Sequence, residues 1–407
     1  IIDECHAYDQ YMYVYLENSL RWMAAYNVPV IILSATLPPD KRAELIKWYT
    51  GSKNSFDNSS TAYPILTWSD GAEVKQKAIP VDIPDKSITV IRREENDSND
   101  IVNLLEDKLS DGGCAAVIVN SVAYSQKLAD TIAANMPDYR VICFHSRLIS
   151  TDRASIEREL TELVGKKSTC EKRDKLIVVG TQVLEQSLDI DFDYMITELC
   201  PMDLLLQRSG RLHRHNRTRP DKLSEPELCV LIPEDFSKSV YSGWILKQTE
   251  KYLPDKLVIP GCIPELVGAV YSEPDNDEQQ TAEYKDYSDE QKEKKQRAKK
   301  YCIPSQKINR SDSTLSDMID RRELNNDSDG EAAVRDGQET IEALVLVKTS
   351  DTEYSLFSRD AVFDITSVPD NAQAKLIAKQ RLRLPAFFSK SYNFGKTIEI
   401  LANAMPQ

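Results

Sequence analysis

The sequence has few glycines, no paired cysteines of the metal-binding type and no long apolar run. Glycine accounts for 13 of 407 residues, below the ~7% that is typical of proteins. The eight cysteines are scattered, with no Cys-x-x-Cys pair and no Cys/His cluster of zinc-ligand spacing. We therefore interpret them as small buried hydrophobic side chains in a reducing compartment.

Membrane and secretion signals are also missing. No apolar run approaches the roughly 18–20 residues that cross a bilayer, and no signal-like sequence opens the chain. These absences predict a soluble, cytoplasmic protein without membrane contact.

The charge balance is acidic. There are 51 Lys and Arg residues against 65 Asp and Glu residues, a net charge of −14. This argues against a passive nucleic-acid binder with a broad basic face. It leaves open a protein with a local positive groove, because neutralising a few phosphates suffices for binding.

Apolar strands alternate with amphipathic helices, which predicts parallel sheets covered by helices on both faces. Residues 1–83 read as part of one α/β domain, and we interpret Ile1 as lying within a strand that has been cut. Its predicted elements are a helix over 9–26, a strand over 28–33, a helix over 40–49 and a Ser/Asn-rich loop over 51–61.

Residues 84–240 are predicted to form a complete second α/β domain. Its six strands are expected at 88–92, 115–120, 140–145, 175–180, 194–199 and 227–232. A linker with a charged helix near 273–300 is expected within 241–310. A small domain at 311–407 follows, with a hairpin of 341–347 and 353–357 and a helix over 375–384.

Acidic and hydroxyl side chains follow two strand ends in the first domain. Asp3 and Glu4 end the first strand, and Ser34 and Thr36 follow the next one. Ligands of open α/β sheets bind at the carboxyl ends of the strands. Two carboxylates there can divide the work of nucleotide hydrolysis, since one can hold magnesium and the other can polarise water. An acidic turn is the simpler alternative.

Two segments of the second domain carry further polar groups. Residues 180–191 follow a strand and are predicted to place a helix N-terminus where phosphate or ribose can bind. Gln207, Arg211 and Arg214 are spaced i, i+4 and i+7, which predicts one shared helix face. Two guanidiniums there would neutralise charge on a transferring phosphoryl group. A solvated arginine-rich helix is the simpler interpretation of this run. A basic loop at 165–175 could touch phosphate, although such a run is more often only a solvated face.

The order and spelling of these segments resemble one family. They include Asp-Glu-Cys-His (3–6), Ser-Ala-Thr (34–36), Phe-His-Ser-Arg (144–147), Glu-Gln-Ser-Leu-Asp (185–189) and Asp-Leu-Leu-Leu-Gln-Arg-Ser-Gly-Arg-Leu-His-Arg-His (203–215). Together they resemble the helicase-nuclease of type I CRISPR systems, a superfamily-two helicase, over residues 1 to about 231. The resemblance implies two tandem RecA-like parallel-sheet domains, the first truncated, then a linker helix and a small C-terminal α+β domain.

The resemblance also implies roles for individual residues. Asp3 and Glu4 would hold Mg²⁺ and the hydrolytic water of an ATP site, and Asp189 would lie near the nucleotide. Arg211 and Arg214 would be arginine fingers, with Gln207 beside them. The remaining implied roles are coupling of ATP to DNA by His6, Ser34 and Thr36, and contacts to the DNA backbone by Asn120, Ser121, Arg147 and Thr181.

In that family a monomer receives the displaced single strand of DNA from an RNA-guided surveillance complex, moves along it and cuts it. Two parts of the family pattern are missing here. No Gly-x-x-x-x-Gly-Lys-Ser/Thr loop occurs to cradle the ATP phosphates. The nuclease metal would belong to an N-terminal His-Asp domain that these residues do not include. A helicase of another superfamily-two branch and a non-catalytic DNA-binding half-helicase remain the alternatives.

Overall fold

The computed structural model describes residues 1–51, 60, 62–70, 73–80, 84–94, 97–185, 188–302, 342–358, 361–364, 366–384, 388 and 395–396. The predicted loop at 51–61 therefore lies almost entirely outside the described residues. None of the helices in the described part of the chain combines the length and the apolar character needed to span a membrane.

The protein is a mixed α/β molecule. Its helices are α1 (Gln10–Ala25), α2 (Pro39–Thr50), α3 (Ser98–Lys108), α4 (Val122–Asn135), α5 (Ser150–Val164), α6 (Cys170–Arg173), α7 (Met202–Ser209), α8 (Gly243–Tyr252), α9 (Ile263–Tyr271), α10 (Ala282–Tyr301) and α11 (Asn371–Ala378). Its strands are β1 (Ile65–Ser69), β2 (Val74–Ala78), β3 (Lys86–Glu94), β4 (Cys114–Ile118), β5 (Arg140–Phe144), β6 (Leu176–Gly180), β7 (Tyr194–Glu198), β8 (Glu227–Ile232), β9 (Lys256–Ile259), β10 (Glu342–Leu344), β11 (Val347–Lys348), β12 (Glu353–Ser355), β13 (Val362–Asp364) and β14 (Arg381–Arg383).

The chain divides into two compact units. Unit 1 comprises residues 1–90, 199–206 and 233–336, and unit 2 comprises residues 91–198, 207–232 and 337–407. The domain boundaries expected near residues 83, 240 and 310 remain predictions.

Unit 1 begins with a short parallel pairing. Ile2 and Ile32 form an isolated bridge, with Ile2 N donating to Ile31 O at 2.8 Å and Leu33 N donating to Ile2 O at 2.8 Å. The prediction of a strand over 28–33 was wrong in extent. Only Ile32 pairs as in a strand, and Val28, Ile31 and Leu33 are exposed.

Two helices cover this pairing. Asp9 caps α1 by accepting from Met12 N, and Pro39 occupies the first turn of α2, where no amide hydrogen bond is lost. Gly51 ends α2 with a φ of +83°, a conformation that glycine adopts without strain. The predicted helices over 9–26 and 40–49 are confirmed.

The charged helix expected near 273–300 is α10, and it is not exposed on all sides. Tyr11 and Val14 of α1 pack against Ala298 and Cys302 at its C-terminal end. A row of apolar side chains thus fixes this highly charged segment within unit 1.

A seven-stranded, mostly parallel sheet has the order β5-β6-β4-β7-β8-β3-β9. The neighbours from β5 to β8 pair in parallel, and β9 pairs antiparallel with β3. Every residue of β4, β6 and β7 is buried, as expected for central strands of a parallel sheet with both faces covered. The six predicted strands of this sheet are confirmed, each within about two residues at either end.

The small strands near the C-terminus differ from the prediction. β11 and β12 form the hairpin, whereas β10 pairs with β14. The helix expected over 375–384 is α11, which ends at Ala378, and 381–383 form a strand instead. Asp370 caps α11 in a capping box with Gln373, which places its start earlier than the apolar spacing suggested.

Candidate functional site

In unit 1 a hydrogen-bonded cluster joins the segments that follow Ile2 and Ile32. His6 Nδ1 lies 3.3 Å from Ala35 N and 3.4 Å from Ser34 Oγ. Because Nδ1 accepts from the backbone amide, the ring proton resides on Nε2. That atom lies 3.0 Å from Glu4 Oε2. The imidazole therefore lies between the second acidic residue and the hydroxyl segment, within ion-pair distance of Glu4 but without a well-aligned hydrogen bond from Nε2 among the described residues.

The two acidic residues have different surroundings. Asp3 is exposed and accepts from Glu4 N at 2.9 Å. Glu4 adopts a left-handed conformation with φ of 53°, which costs a non-glycine residue about 1–3 kcal/mol. Its side chain is 59% exposed although the His6 side chain is buried. The backbone conformation of Glu4 therefore leaves its carboxylate exposed to solvent and at the same time in contact with the buried His6 ring.

Thr36 is buried, and its hydroxyl has no hydrogen-bond partner among the described residues. Its carbonyl accepts from Ser34 Oγ at 3.3 Å. Ser34 and Thr36 thus belong to the same turn, but only Ser34 contacts His6.

In unit 2 the expected arginine face of one helix does not exist. α7 ends at Ser209, and Arg211 and Arg214 lie beyond it. After Gly210 the chain pairs with Phe192, since Phe192 N donates to Arg211 O at 2.9 Å and His213 N donates to Phe192 O at 3.0 Å. The prediction of one shared helix face from the i, i+4, i+7 spacing was therefore wrong, because the chain leaves the helix after Ser209 and pairs with Phe192 instead.

The two arginines are held differently. Arg211 donates from its guanidinium to the carbonyl oxygens of Leu188 (2.5 Å) and Glu185 (2.6 Å). Arg214 Nε donates to Asp189 Oδ1 at 2.6 Å, and this pair lowers the pKa of Asp189 although partial burial opposes it. Gln207 Nε2 is buried without a hydrogen-bond partner among the described residues.

The segment after β6 also differs from expectation. Residues 182–184 form a single 3-10 turn, so no regular helix begins there, and Gln186 and Ser187 lie outside the described residues. Thr181 is buried, and its hydroxyl finds no partner in the described part of the chain.

The other predicted DNA contacts lie in unit 2. Ser121 caps α4 by accepting from Tyr124 N, a structural role. Asn120 Oδ1 accepts from Arg208 Nη2 at 3.0 Å. Arg147 donates its amide to His145 Nδ1 at 3.3 Å, and its guanidinium makes no hydrogen bond with another described residue. Burial lowers the pKa of His145, with Arg147 adding to the effect, which favours the neutral ring.

Sequence reasoning missed the fully buried Arg208. Its Nε donates to Glu185 Oε1 at 2.7 Å, and its Nη1 donates to Thr197 Oγ1 at 2.7 Å. Both Arg208 and Glu185 belong to the motifs that carry the resemblance. The available signal was that Arg208 directly follows Gln207 and that Glu185 directly precedes Gln186 within these motifs. Sequence spacing does not show, however, which arginine of the motif is buried.

A second buried network was also missed. Asp191 accepts from Arg214 N at 2.8 Å and from Arg219 Nη2 at 3.0 Å, and Asp193 accepts from Arg173 Nη2 at 2.6 Å. Burial alone would raise the pKa of Asp193, but the guanidiniums of Arg173 and Arg219 hold it below its ordinary value. Arg173 of the predicted basic loop is therefore a buried structural residue, so the interpretation of that run as a solvated face does not hold for Arg173.

No group of three or more His, Cys, Asp and Glu side chains is arranged to hold a metal ion within the described ranges. Of the eight cysteines, all described and all free, Cys170 is exposed, so the prediction that every cysteine is buried was wrong there.

Two family models match the sequence. The description "CRISPR-associated nuclease/helicase Cas3, C-terminal" matches residues 111–217, and "Cas3 C-terminal domain" matches residues 335–407. The first match covers Asn120, Thr181, Arg208 and Arg214. The chain belongs to the Cas3 family. Another branch of the superfamily-two helicases is thereby set aside.

Relatives in the Cas3 family align along almost the whole chain. The nuclease/helicase Cas3 of Streptococcus thermophilus is 38% identical over 98% of this chain and 45% of its own length. The endonuclease/helicase Cas3 of Escherichia coli is 28% identical over 97% of this chain and 44% of its own length. The chain thus spans just under half the length of these relatives.

Solved Cas3 structures share the fold. The crystal structure of T. fusca Cas3 with AMPPNP covers 94% of this chain and 46% of its own, with a TM-score of 0.81 and 26% identity. The structure with ATP has a TM-score of 0.80 over the same shares. A chain of a CRISPR RNA-guided surveillance complex in a pre-nicking state covers 74% of this chain and 41% of its own, with a TM-score of 0.65 and 29% identity. These likenesses fit the RecA-like helicase fold expected from the sequence.

Proposed function

We propose that the chain supplies the helicase part of a Cas3 protein that hydrolyses ATP to move along single-stranded DNA in a type I CRISPR system. The observation that carries the proposal is the cluster of Glu4, His6 and Ser34. It joins the acidic pair to the hydroxyl segment through one imidazole, with 3.0 Å to Glu4 Oε2 and 3.4 Å to Ser34 Oγ.

The acidic pair fits a magnesium-bound nucleotide. Asp3 and Glu4 both expose carboxylate oxygens, and Mg²⁺ bound with a nucleotide uses one or two carboxylates together with phosphate oxygens. Bound Mg²⁺ would neutralise charge that develops on the phosphates. In this proposal Asp3 would hold the metal, and Glu4 would accept a proton from the attacking water. His6 would orient Glu4, and a movement of its ring would be transmitted to Ser34 and, through the same turn, to Thr36.

Arg211 and Arg214 are proposed as the arginine fingers, with Gln207 beside them and Asp189 near the nucleotide. Arg214 fits this role because its pair with Asp189 lies at the surface and can be exchanged for a phosphate. Arg211 is oriented by two backbone carbonyls, which is the kind of preorganisation that phosphoryl transfer needs.

DNA binding is proposed for Asn120, Ser121, Arg147 and Thr181. Arg147 is the strongest of the four, since its guanidinium has no hydrogen bond to another described residue and a phosphate can take it. Thr181 is buried here, so its contact would require movement. The proposed partners are the displaced single strand and an RNA-guided surveillance complex, and the proposed setting is a cytoplasmic monomer. Cutting of DNA would rest on a metal-dependent nuclease domain outside these residues.

The test is DNA-stimulated release of phosphate from ATP by the full-length gene product. Glu4→Gln keeps the size and the contact to His6 but removes the base, so we expect turnover to fall by about 10²–10⁴-fold. Glu44→Gln on α2, a partly exposed residue paired with Lys41, is the matched control and should retain turnover. Wild-type protein without DNA-stimulated turnover would contradict the proposal.

Residues 1–407 alone are proposed to bind single-stranded DNA weakly and to hydrolyse no ATP. No glycine-rich phosphate loop occurs in this sequence, so no backbone amides or lysine of such a loop cradle the phosphates of ATP. Turnover by this polypeptide that disappears with Glu4→Gln would show that the proposal is wrong. Failure of both the polypeptide and the full-length product to hydrolyse ATP would favour a non-catalytic DNA-binding role.

A further inference from the structure

Arg208 is the largest fully buried side chain of the described residues, and neither the ATP chemistry nor the DNA contacts proposed above use it. It lies in unit 2, in the last turn of α7, with no exposed surface. A buried ion pair seldom stabilises a fold more than apolar side chains of the same volume would. Stability alone therefore does not account for an arginine at this position.

The guanidinium of Arg208 joins the ends of three neighbouring strands. Nη2 donates to Asn120 Oδ1 at 3.0 Å, just after β4. Nη1 donates to Thr197 Oγ1 at 2.7 Å and to Glu198 O at 3.1 Å, at the end of β7. Nε donates to Glu185 Oε1 at 2.7 Å, after β6.

Glu185 extends this connection to Arg211. Its carboxylate is bound by Arg208, and its carbonyl oxygen accepts from Arg211 Nη2 at 2.6 Å. The Glu185 side chain is 1% exposed, so it cannot change partners by turning to solvent. We call the guanidinium of Arg208, with its donors Nε, Nη1 and Nη2, the Arg208 fork. A displacement of this fork therefore moves the carbonyl of Glu185, which orients Arg211.

We propose that Arg208 is a positioning residue that couples occupation of the strand end at Asn120 by DNA to the orientation of Arg211, through Glu185. This inference rests on the proposed function, because it assigns DNA to Asn120 and ATP to Arg211. It adds that the two are connected by a rigid, buried fork and not through solvent.

The geometry of guanidinium makes the coupling testable. Arginine presents its donors in one plane, so Nε and Nη2 bind Glu185 and Asn120 at the same time. Lysine carries the same charge on a single nitrogen, which cannot span both acceptors. Arg208→Lys thus keeps the buried charge and breaks the connection.

The experiment compares ATP turnover of the full-length gene product with and without saturating oligo(dT). Affinity for labelled oligo(dT) and thermal melting are measured in parallel. Arg173→Lys is the matched control, since Arg173 is equally buried and charged but binds Asp193 and Asp191. We expect Arg208→Lys to lower the stimulation of ATP turnover by DNA at least ~10-fold, which lies within the usual range of coupling between two sites. The dissociation constant for DNA should change by less than about threefold. Arg173→Lys should keep the wild-type stimulation.

A folded Arg208→Lys protein with wild-type stimulation overturns the coupling, and so does an equal loss of stimulation in Arg173→Lys. If Arg208→Lys does not fold, Glu185→Gln replaces it, because the amide keeps the shape and an acceptor while weakening the grip of the fork. Its stimulation should fall in the same direction, and unchanged stimulation overturns the inference. Absence of stimulation in the wild type contradicts the proposed function itself, which is a separate outcome.

Discussion

Arg214 and Asp189 form an ion pair at the surface of unit 2, with Nε and Oδ1 2.6 Å apart and side chains 40% and 51% exposed. An exposed pair of this kind contributes about 0–1 kcal/mol to stability. Arg214 can therefore leave Asp189 for a phosphate at little cost. Arg211, bound to two backbone carbonyls, has no such freedom.

The first prediction concerns Arg214. In the full-length gene product Arg214→Ala should lower ATP turnover by roughly 10³–10⁵-fold, as expected for an arginine finger. The free energy of unfolding should change by less than ~1 kcal/mol. Lys222→Ala, which removes an equally exposed pair with Asp107, is the control and should alter neither quantity. Near-normal turnover of Arg214→Ala would contradict the arginine-finger role and leave Arg214 as a solvated surface residue.

The second prediction separates Arg211 from Arg214. Arg211→Ala should also lower turnover, but it leaves the carbonyls of Leu188 and Glu185 without their charged donor. Arg211 makes two such hydrogen bonds, and each hydrogen bond to a charged group contributes about 1.5–3 kcal/mol, so a loss of about 3–6 kcal/mol of unfolding free energy is expected. Urea unfolding measures the difference, and equal stability of the two variants would refute it.

The sheet was predictable because its strands are short apolar runs buried on both faces. β6, with the sequence Leu-Ile-Val-Val-Gly, is too short for a helix, is rich in β-branched residues and ends in glycine, which together indicate a strand. That the segment of Ser34 lies beside the segment of Asp3 and Glu4 also followed from the sequence, since the carboxyl ends of adjacent parallel strands meet at one edge. The contact of His6 with Ser34 was not predicted from strand position.

The segment 207–215 could not be predicted from spacing. Helical periodicity predicts a continuous face, but the tertiary pairing with Phe192 stops α7 after Ser209. Which arginine is buried depends on where acceptors lie on other strands, and no local pattern contains that information. The sequence therefore identified the right motif and assigned Arg208 no role.

The third prediction is a pH dependence of stability. Burial, with Arg219 nearby, lowers the pKa of His213 to about 4, and Nε2 donates to Asp193 O across 3.1 Å. The folded state therefore prefers the neutral ring, while the unfolded chain protonates near pH 6.5. The stabilisation is complete above about pH 6.5 and is lost as pH falls toward about 4.

Because the ring is only partly buried, we expect this effect to be about 1–2 kcal/mol after allowance for solvent screening. Urea unfolding at pH 7 and pH 5 should show it, and His213→Asn should reduce the difference between the two pH values. Asparagine suits this position because the backbone φ is +47°. An unchanged difference in His213→Asn would assign the pH dependence to other groups.

The fourth prediction concerns the buried network of Arg173 and Asp193. Asp193 Oδ2 accepts from Cys114 N at 2.9 Å and thereby fixes the start of β4, while Oδ1 binds Arg173 Nη2 at 2.6 Å. Both side chains are 3% exposed. Removing Arg173 leaves the buried Asp193 carboxylate with Arg219 as its remaining guanidinium partner among the described residues, so Arg173→Met should cost about 3 kcal/mol of unfolding free energy, the lower end of the range for breaking a buried pair.

Loss of both charges should cost less than the two single losses together. Asp193→Asn leaves Arg173 uncompensated on that side, but in Arg173→Met/Asp193→Asn neither charge remains to be solvated. A coupling of about 1–3 kcal/mol is expected from the double-mutant cycle in urea unfolding. The matched control is Arg140→Met, which removes an arginine that is 57% exposed and paired with Glu159. That pair should contribute no more than ~1 kcal/mol. Additive losses for Arg173 and Asp193, or a loss for Arg173→Met as small as that for Arg140→Met, would mean that Asp191, Arg217 and Arg219 hold this part of unit 2 without the Arg173–Asp193 pair.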